Sequence, residues 1–561
     1  MERRYHPHDA GREQMWYDVS VHICAMPLRE DTCVNYWNCA FRLLLIWGLL
    51  LAFATISASE VSINLPLDDP AYPLLEKIVS SNLTFINALT LKPITRLYAA
   101  RLVAEAIAQR RHELETNQRE DPFIDQILEY LTGRFKSELQ KIGFLTHLGR
   151  QKPVVLAPFN EQQLRAIFAN DQFVHRDSSG LTPNLQGVFT LNEGVAYGED
   201  FTLQTRSSSW ATFWDYVGVY VEPLAIVRTD ALIGDTFDVD LHKGYLKAAY
   251  ANIELEFGRD VLGWGPASQG DLILSPNAPP LEFVKLSTPE PFRLPGVLRE
   301  VGEWQMTYFI ARLEKDRTIA RPLLSGLRVT FQPSSYLKFG FSNAFQAFGT
   351  NGVELDASTF FQRIFVPEFD LTGRTINSLI AYDVVLTLPF VRDSAFLQSV
   401  KFYWQRGNDN VEKVTGFLGG GNILGVALDG GRWDLRFEYA ETRDGNAVWY
   451  THPTYQSGFA FEKFYLGHPI GGDAQSFFAR ATYYLTPTAW VAADGRYDEY
   501  GIATQPSSTT QQRIGVEGSY QFAWLKRDLV LWGRLEYATL DEPTMSEQQA
   551  IVVQILARWR F

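Results

Sequence analysis

From about Leu185 to the end of the chain, apolar residues recur at every second position. In Ile551–Phe561 one face reads Ile551, Val553, Ile555, Ala557, Trp559 and Phe561, and the other Val552, Gln554, Leu556, Arg558 and Arg560. The first face suits lipid and the second a wet interior. An alternating run of about ten residues is long enough to cross a hydrocarbon layer when tilted. The same asymmetry marks Trp433 to Ala440, Ile380 to Leu388 and Leu529 to Tyr537. Charges at alternate positions would be costly in a sandwich core but suit a lumen. The pattern predicts an all-β transmembrane barrel of 16–18 antiparallel strands: about sixteen can be placed, a hidden hairpin would raise the number to the favoured 18, and the count should stay even.

The spacing of the runs adds an orientation. Short links fall near Ala523–Asp528, Leu485–Ala489, Asp429–Gly431 and Gln332–Ser335, and long ones at Gln346–Asn377, Gly407–Gly420, Thr442–Ala474, Asp498–Gln512 and Ala538–Ala550. Short periplasmic turns and long outer loops are usual in such barrels, which puts Thr442–Ala474 outside the cell. Trp433, Trp490, Trp524 and Trp559 are then expected in an aromatic girdle near the periplasmic interface. A strand over Tyr245–Phe257 and another over Gly302–Leu313 leave residues 258–301 starting and ending on the periplasmic side. This Gly/Pro-rich stretch either fills the lumen or hides two short strands, Leu272–Leu274 and Phe283–Leu286.

The period changes to 3.6 ahead of the barrel. Ala99, Leu102, Val103, Ala106 and Ile107 lie on one face of a helix beginning near Thr95, and Asp121-Pro122 opens a second. Leu74, Leu75, Ile78 and Val79 suggest a shorter first helix. Residues 59–152 are read as a small periplasmic helical segment, and 153–561 as the barrel. The order Asp69-Pro70-Ala71-Tyr72, apolar helix, Pro93-Ile94-Thr95-Arg96 resembles one unit of an S-layer-homology module, which leaves cell-wall contact open beside a plain packing role. Leu43 to Ala54 is too short to span and fits a signal-peptide core, so residues 1–58 are expected to be a leader, with Met26 an alternative start.

Composition narrows the functions. Aromatic residues make up 14% of the 561, which suits interfacial girdles, and the net charge of −13 argues against nucleic acid as a partner. The 3 cysteines, Cys24, Cys33 and Cys39, all precede residue 40, so no disulfide framework or thiolate chemistry is expected beyond it. There is no HExxH or GxSxG motif, no clustered metal ligands and no phosphate loop at Gly416 to Gly421. No cofactor or metal is expected. Glu254 and Glu256 share the inward face of one strand and are the single pair that could serve as acid and base of a glycosidase.

Two motifs are more specific. Phe257-Gly258-Arg259-Asp260, Gly263-Trp264-Gly265-Pro266, Leu272 to Ser275 and Asn277-Ala278 form the first; Tyr465 to Ala474 (YLGHPIGGDA) followed by Phe477 forms the second. Together they resemble the Wzi family of capsule-assembly outer-membrane proteins, over roughly residues 155–561. The resemblance implies an eighteen-stranded barrel with periplasmic helices, acting as a lectin that holds capsular or exopolysaccharide at the cell surface. Lipid, lipopolysaccharide and the barrel assembly machinery, which reads a terminal aromatic such as Phe561, are the other expected partners.

Sugars are bound by aromatic faces and by planar polar groups that meet their hydroxyls. Thr442–Ala474 is dense in both, and Arg443, Asn446, Trp449, Tyr450, His452 and Tyr455 are its candidate polysaccharide contacts. The alternative is a self-packed loop closing the barrel. Arg259, Asp260, Trp264, Pro266, Gly467, His468 and Asp473 are expected to be structural, with close backbone packing around Trp264 and an Arg–carboxylate pair inside the barrel. The leading function is non-catalytic polysaccharide attachment, followed by a diffusion porin and then an outer-membrane glycan hydrolase.

Overall fold

The computed structural model describes residues 60–117, 120–145, 153–171, 191–229, 236–365, 376–388, 396–409, 420–444, 447–502, 507–524, 527–543 and 546–561. The leader, Met26, Asn446 and Gly416 to Gly419 lie outside them.

Among the described residues, 18 antiparallel strands close into a barrel. They are β1 (Val154–Ala169), β2 (Asp200–Phe213), β3 (Val217–Arg228), β4 (Phe237–Tyr250), β5 (Ile253–Asp260), β6 (Leu281–Ser287), β7 (Glu303–Arg312), β8 (Leu323–Ser334) and β9 (Leu337–Ala347). The wall continues with β10 (Asn377–Leu388), β11 (Ser399–Asp409), β12 (Asn422–Asp429), β13 (Trp433–Glu441), β14 (Ala474–Thr486), β15 (Ala489–Tyr500), β16 (Thr509–Trp524), β17 (Arg527–Asp541) and β18 (Gln548–Arg560). Each strand pairs with its sequence neighbour, and β18 closes on β1 with Glu161 opposite Arg560 and Ala169 opposite Val552. Closure leaves no unpaired edge, which a hydrocarbon layer demands.

The alternation reads onto the wall as expected. On β18, Ile551 and Ile555 are 48% and 57% exposed on the outer face, while Val552, Leu556 and Arg558 are buried inside. Arg558 and Arg560 face Glu161 at 3.3 and 2.9 Å, so the inward charges are paired. The hidden hairpin is β5–β6. Ala251 and Asn252, both at positive φ (48° and 64°), turn the chain back between β4 and β5, so Tyr245–Phe257 is two strands rather than one. Glu254 pairs with Ser287 and Asp260 with Leu281, which puts Phe283–Leu286 in the wall. Leu272–Leu274 is no strand; it folds inside the barrel. Residues 261–280 therefore occupy the lumen, and 288–302 connect β6 to β7 at the short-turn end.

The helices are α1 (Ala71–Ser80), α2 (Arg96–Asn117), α3 (Pro122–Arg134) and α4 (Lys136–Lys141). Local chemistry sets their starts: Thr95 Oγ1 accepts from Tyr98 N (3.1 Å), and the Asp121 carboxylate accepts from Ile124 N (3.2 Å). Leu74, Leu75 and Ile78 bury one face of α1 against Leu102, Ile127 and Leu131, each contributing roughly 1.5–3 kcal/mol. The helices sit on the short-turn end. Lys77 of α1 reaches Asp429 (3.0 Å), Gly431 O (2.8 Å) and Asp434 around one turn. Tyr130 and Asp121 bind Gln521 and Gln398 at others. Asp69, Tyr72 and Thr95 are buried among these contacts. The polar groups of the S-layer-like pattern are thus engaged in packing the helices onto the barrel. Trp490 also turns inward, against this helical core and under Arg480, so it is not a girdle residue. No described helix is long and apolar enough to cross a membrane.

Candidate functional site

The lumen is filled by three layers that hydrogen-bond in series. Leu91–Lys92, just before α2, pairs with Gly263–Trp264 of the lumen segment. That segment in turn holds the long loop between β13 and β14. Ser275 N donates to Leu466 O (2.8 Å), Ser275 Oγ to Gly467 O (2.6 Å) and Asn277 Nδ2 to Tyr465 O (3.0 Å). One apolar cluster runs through all three layers, from Leu91 through Trp264 and Leu272 to Trp449 and Tyr465, against Phe309, Leu379 and Ile423 of the wall. The loop is a lid.

That geometry corrects the candidate contacts. Trp449 and Tyr450 are fully buried, and Tyr455 and His452 are 1% and 5% exposed. Tyr450 OH donates to Leu272 O (2.8 Å) and accepts from His468 N (2.9 Å), which ties lid to lumen segment. Tyr455 OH donates to Phe348 O (3.3 Å) and accepts from Val353 N (3.0 Å). His452 Nδ1 accepts from Thr454 N and Tyr455 N, both at 3.1 Å. Burial lowers its pKa to about 4, so the ring is neutral. None of the four presents a face to a polymer. Their rings pack the lid, and the hydroxyls of Tyr450 and Tyr455 and the Nδ1 of His452 hold it shut. Arg443 stays partly exposed and is paired with Glu441.

The motif residues divide. Trp264 is fully buried, edge-on to Phe309 at 5.4 Å, and a Cβ on Gly265 would come within 2.0 Å of Asp271 Oδ1. A Cβ on Gly467 would meet Leu272 O at 2.4 Å. Pro266 leads out of this packed stretch and lines a cavity below it. Buried His468 is held neutral, its pKa lowered to about 3 by burial and then by Arg496. Asp473 ends the lid, its N–H donating to Thr442 O (2.8 Å). The Arg–carboxylate pair inside the barrel is not Arg259 with Asp260. Arg259 points outward to Asp240 (2.9 Å), and Asp260 points inward to Asn64 Nδ2 (2.7 Å), because adjacent strand residues face opposite sides. Buried Arg–carboxylate pairs inside the barrel instead include Arg328 with Asp383, at 2.7 and 3.1 Å, and Arg496 with Asp498, at 2.7 Å.

Glu254 and Glu256 do not form an acid–base site. Lys247 lies 2.8 Å from Glu254 and Lys285 2.6 Å from Glu256, so both carboxylates are neutralised by neighbours. One group with metal-ligand character escaped the sequence reading: Glu193, Glu222 and His242 offer ligand atoms within 4.8 Å of one another. Their three separate elements gave no spacing to read. Lys243 (2.6 Å) and Arg206 (3.0 Å) already engage Glu193, which makes the group an ion-pair network.

The face above the lid is built by three loops. Arg317 Nη2 donates to Gly458 O (2.7 Å) and Thr318 N to Ser457 Oγ (3.0 Å), joining the β7–β8 loop to the lid. Helix α5 (Ala357–Phe365) packs Phe360 on Phe345 and Phe348 beside it. Lys315, Arg321, Gln456 and Lys463 are exposed on these elements, and Phe361 is 48% exposed. The apolar residues 360, 361 and 364 within a long loop were the available signal for α5.

A closed eighteen-stranded barrel whose lumen, among the described residues, is packed by a helical end, a lumen segment and a lid has the build of an outer-membrane protein. The description "Capsule assembly protein Wzi" matches residues 170–551, and the chain belongs to that family. Among solved structures it is similar to Escherichia coli Wzi, described as an outer-membrane protein involved in group 1 capsule assembly and a carbohydrate-binding β-barrel. The identity is 17% and the TM-score 0.64, covering 89% of this chain and 99% of that one. Pseudomonas aeruginosa OprD (11% identity, TM-score 0.42, 72% of this chain and 94% of that one) is a more distant neighbour. Acinetobacter baumannii OccAB2 stands at a similar distance (12%, 0.42, 72% and 97%). No curated protein matches the sequence.

Proposed function

We propose that the chain is a non-catalytic, lectin-like protein that holds capsular or exported polysaccharide on the outside of the cell. The observation that carries this is the continuous core from Leu91, just ahead of α2, to the lid, in a member of a capsule-assembly family. A diffusion porin needs an open path and a hydrolase needs a free acid–base pair; the filled lumen and the lysine-paired Glu254 and Glu256 favour neither. The working surface is then the outer face of the lid and its neighbours, where Lys315, Arg321 and Lys463 meet acidic or hydroxyl groups and Gln456 and Phe361 meet the sugar rings. Each contact is weak, and many copies on one long chain supply retention through effective concentration. Residues 1–58 direct export, the helices face the periplasm, and exposed Phe561 is read during barrel assembly.

The test uses purified protein in detergent and polysaccharide extracted from its own host. Lys315→Ala, Arg321→Ala and Lys463→Ala combined should weaken binding at least tenfold at unchanged folding, while Trp449→Phe, inside the lid, should leave it unchanged. Unaltered binding by the triple variant would move the site elsewhere.

A further inference from the structure

The barrel holds a second candidate site that the outer-surface reading does not use. A cavity of about 570 Å³ lies between α1, the lumen segment and the wall from β11 to β18. It reaches down to Pro487 and Thr488, in the short turn between β14 and β15, and so meets the periplasmic rim. That volume is in the range of small-ligand sites.

The charges around it are uneven at one corner. Glu76 of α1 is met on one oxygen by Lys92 (2.8 Å) and on the other by Arg436 (3.3 Å). Lys401 on β11 stands within electrostatic reach of the same three groups and of Asp429. Asp429 is already bound by Lys77 at 3.0 Å. Among the described residues the Lys401 side chain has no hydrogen bond or ion pair, yet the residue is only 8% exposed and lines the cavity. An ammonium without a hydrogen-bonding partner at the wall of a cavity favours an anion beside it. Among the lining groups of this corner four cations, Lys77, Lys92, Lys401 and Arg436, meet three carboxylates, Glu76, Asp429 and Asp434, which leaves room for one further anion. The aromatic rings of Tyr72, Trp490 and Trp532 line the same space; each carries a cation on one face (Lys92, Arg480 and Arg165), which leaves its other face and edge for a sugar.

We propose that this cavity binds one small sugar acid, a hexuronate or a comparable anionic sugar unit, with its carboxylate at the Lys92–Lys401–Arg436 corner. The ligand enters from the periplasmic side, so the site samples acidic sugar inside the cell envelope and is separate from the outer face.

The experiment is equilibrium dialysis of the full-length protein in detergent against labelled glucuronate, with glucose and inorganic phosphate as comparisons. Wild type should take up one glucuronate per chain, at least ten times more tightly than glucose, and more weakly as salt rises. Lys401→Met should reduce that affinity at least tenfold and Lys401→Arg should keep it within threefold. Lys401 leaves no carboxylate orphaned when removed, so both variants should keep the heat-dependent gel shift of a folded barrel. The outer triple variant should bind glucuronate as wild type does, which separates this site from the proposed function. No saturable glucuronate uptake, equal affinity in Lys401→Met, or uptake of phosphate without glucuronate would each overturn the proposal. Should Lys401→Met fail to fold, the wild-type preference for glucuronate over glucose still decides.

Discussion

Replacing Tyr450 by Phe removes a single oxygen from the centre of the closed barrel. That oxygen donates to Leu272 O at 2.8 Å and accepts from His468 N at 2.9 Å, joining the lid to the lumen segment. The ring still fits, so no cavity forms. What is lost is the partner of a buried carbonyl and of a buried amide, each costing about 1–3 kcal/mol when left unpaired. Allowing for the hydroxyl's own desolvation, which is relieved, lid closure should weaken by about 2–4 kcal/mol. At about 1.4 kcal/mol per decade this raises the open-lid population roughly 30- to 1,000-fold. Amide hydrogen exchange with mass spectrometry reads this directly, as faster exchange in 459–472 at unchanged protection around Ile514. Exchange within threefold of wild type in that peptide would refute the idea that Tyr450 locks the lid.

Further outcomes follow from the same geometry. His452 and His468 are neutral in the closed lid, with pKa values of about 4 and about 3. An open lid restores ordinary values near 6.5 and takes up protons first as pH falls. Closure is therefore fully stable above pH 6.5 and weakens below it, by about 2 kcal/mol per histidine at pH 5; protection factors in 452–470 that do not change between pH 7 and pH 5 would contradict this. Ile555→Lys on the outer face should cost about 2–4 kcal/mol in lipid vesicles, and Gln554→Lys on the inner face little; equal costs in urea titrations would reverse the facing of β18. Intact protein should show no steady porin-sized current in planar bilayers, and replacing 266–279 by a short glycine linker should create one, because β5 and β6 remain while the layer that ties the lid to the helical end is lost.

The barrel was legible because a buried face and a lipid face impose a period of two that little else produces. The terminal strand shows it residue by residue. The β4–β5 turn was not legible, since Ala251-Asn252 is not the Asn-Gly that usually marks a two-residue turn and the alternation continues past it. Missing that turn made 258–301 look like one lumen insertion, although 281–287 belongs to the wall. The aromatic lid shows a different limit. Trp449, Tyr450 and Tyr455 have the composition of a sugar platform, and only the fold reveals that all three are buried and that Leu272, Phe348 and Val353 occupy the tyrosine hydroxyls. Composition names the chemistry a loop can offer, not the side it turns outward. Lys401 shows the same limit from the other side, because the groups it faces lie on α1, on β13 and just ahead of α2.

The central claim is that this barrel retains polysaccharide outside the cell without making or passing it. A strain lacking the chain, scored for cell-bound against released polysaccharide, tests that most directly. The account predicts the same total polymer with most of it shifted into the medium, and return to the cell surface when the intact chain is restored. An unchanged partition, or a fall in total polymer with the bound fraction preserved, would contradict it.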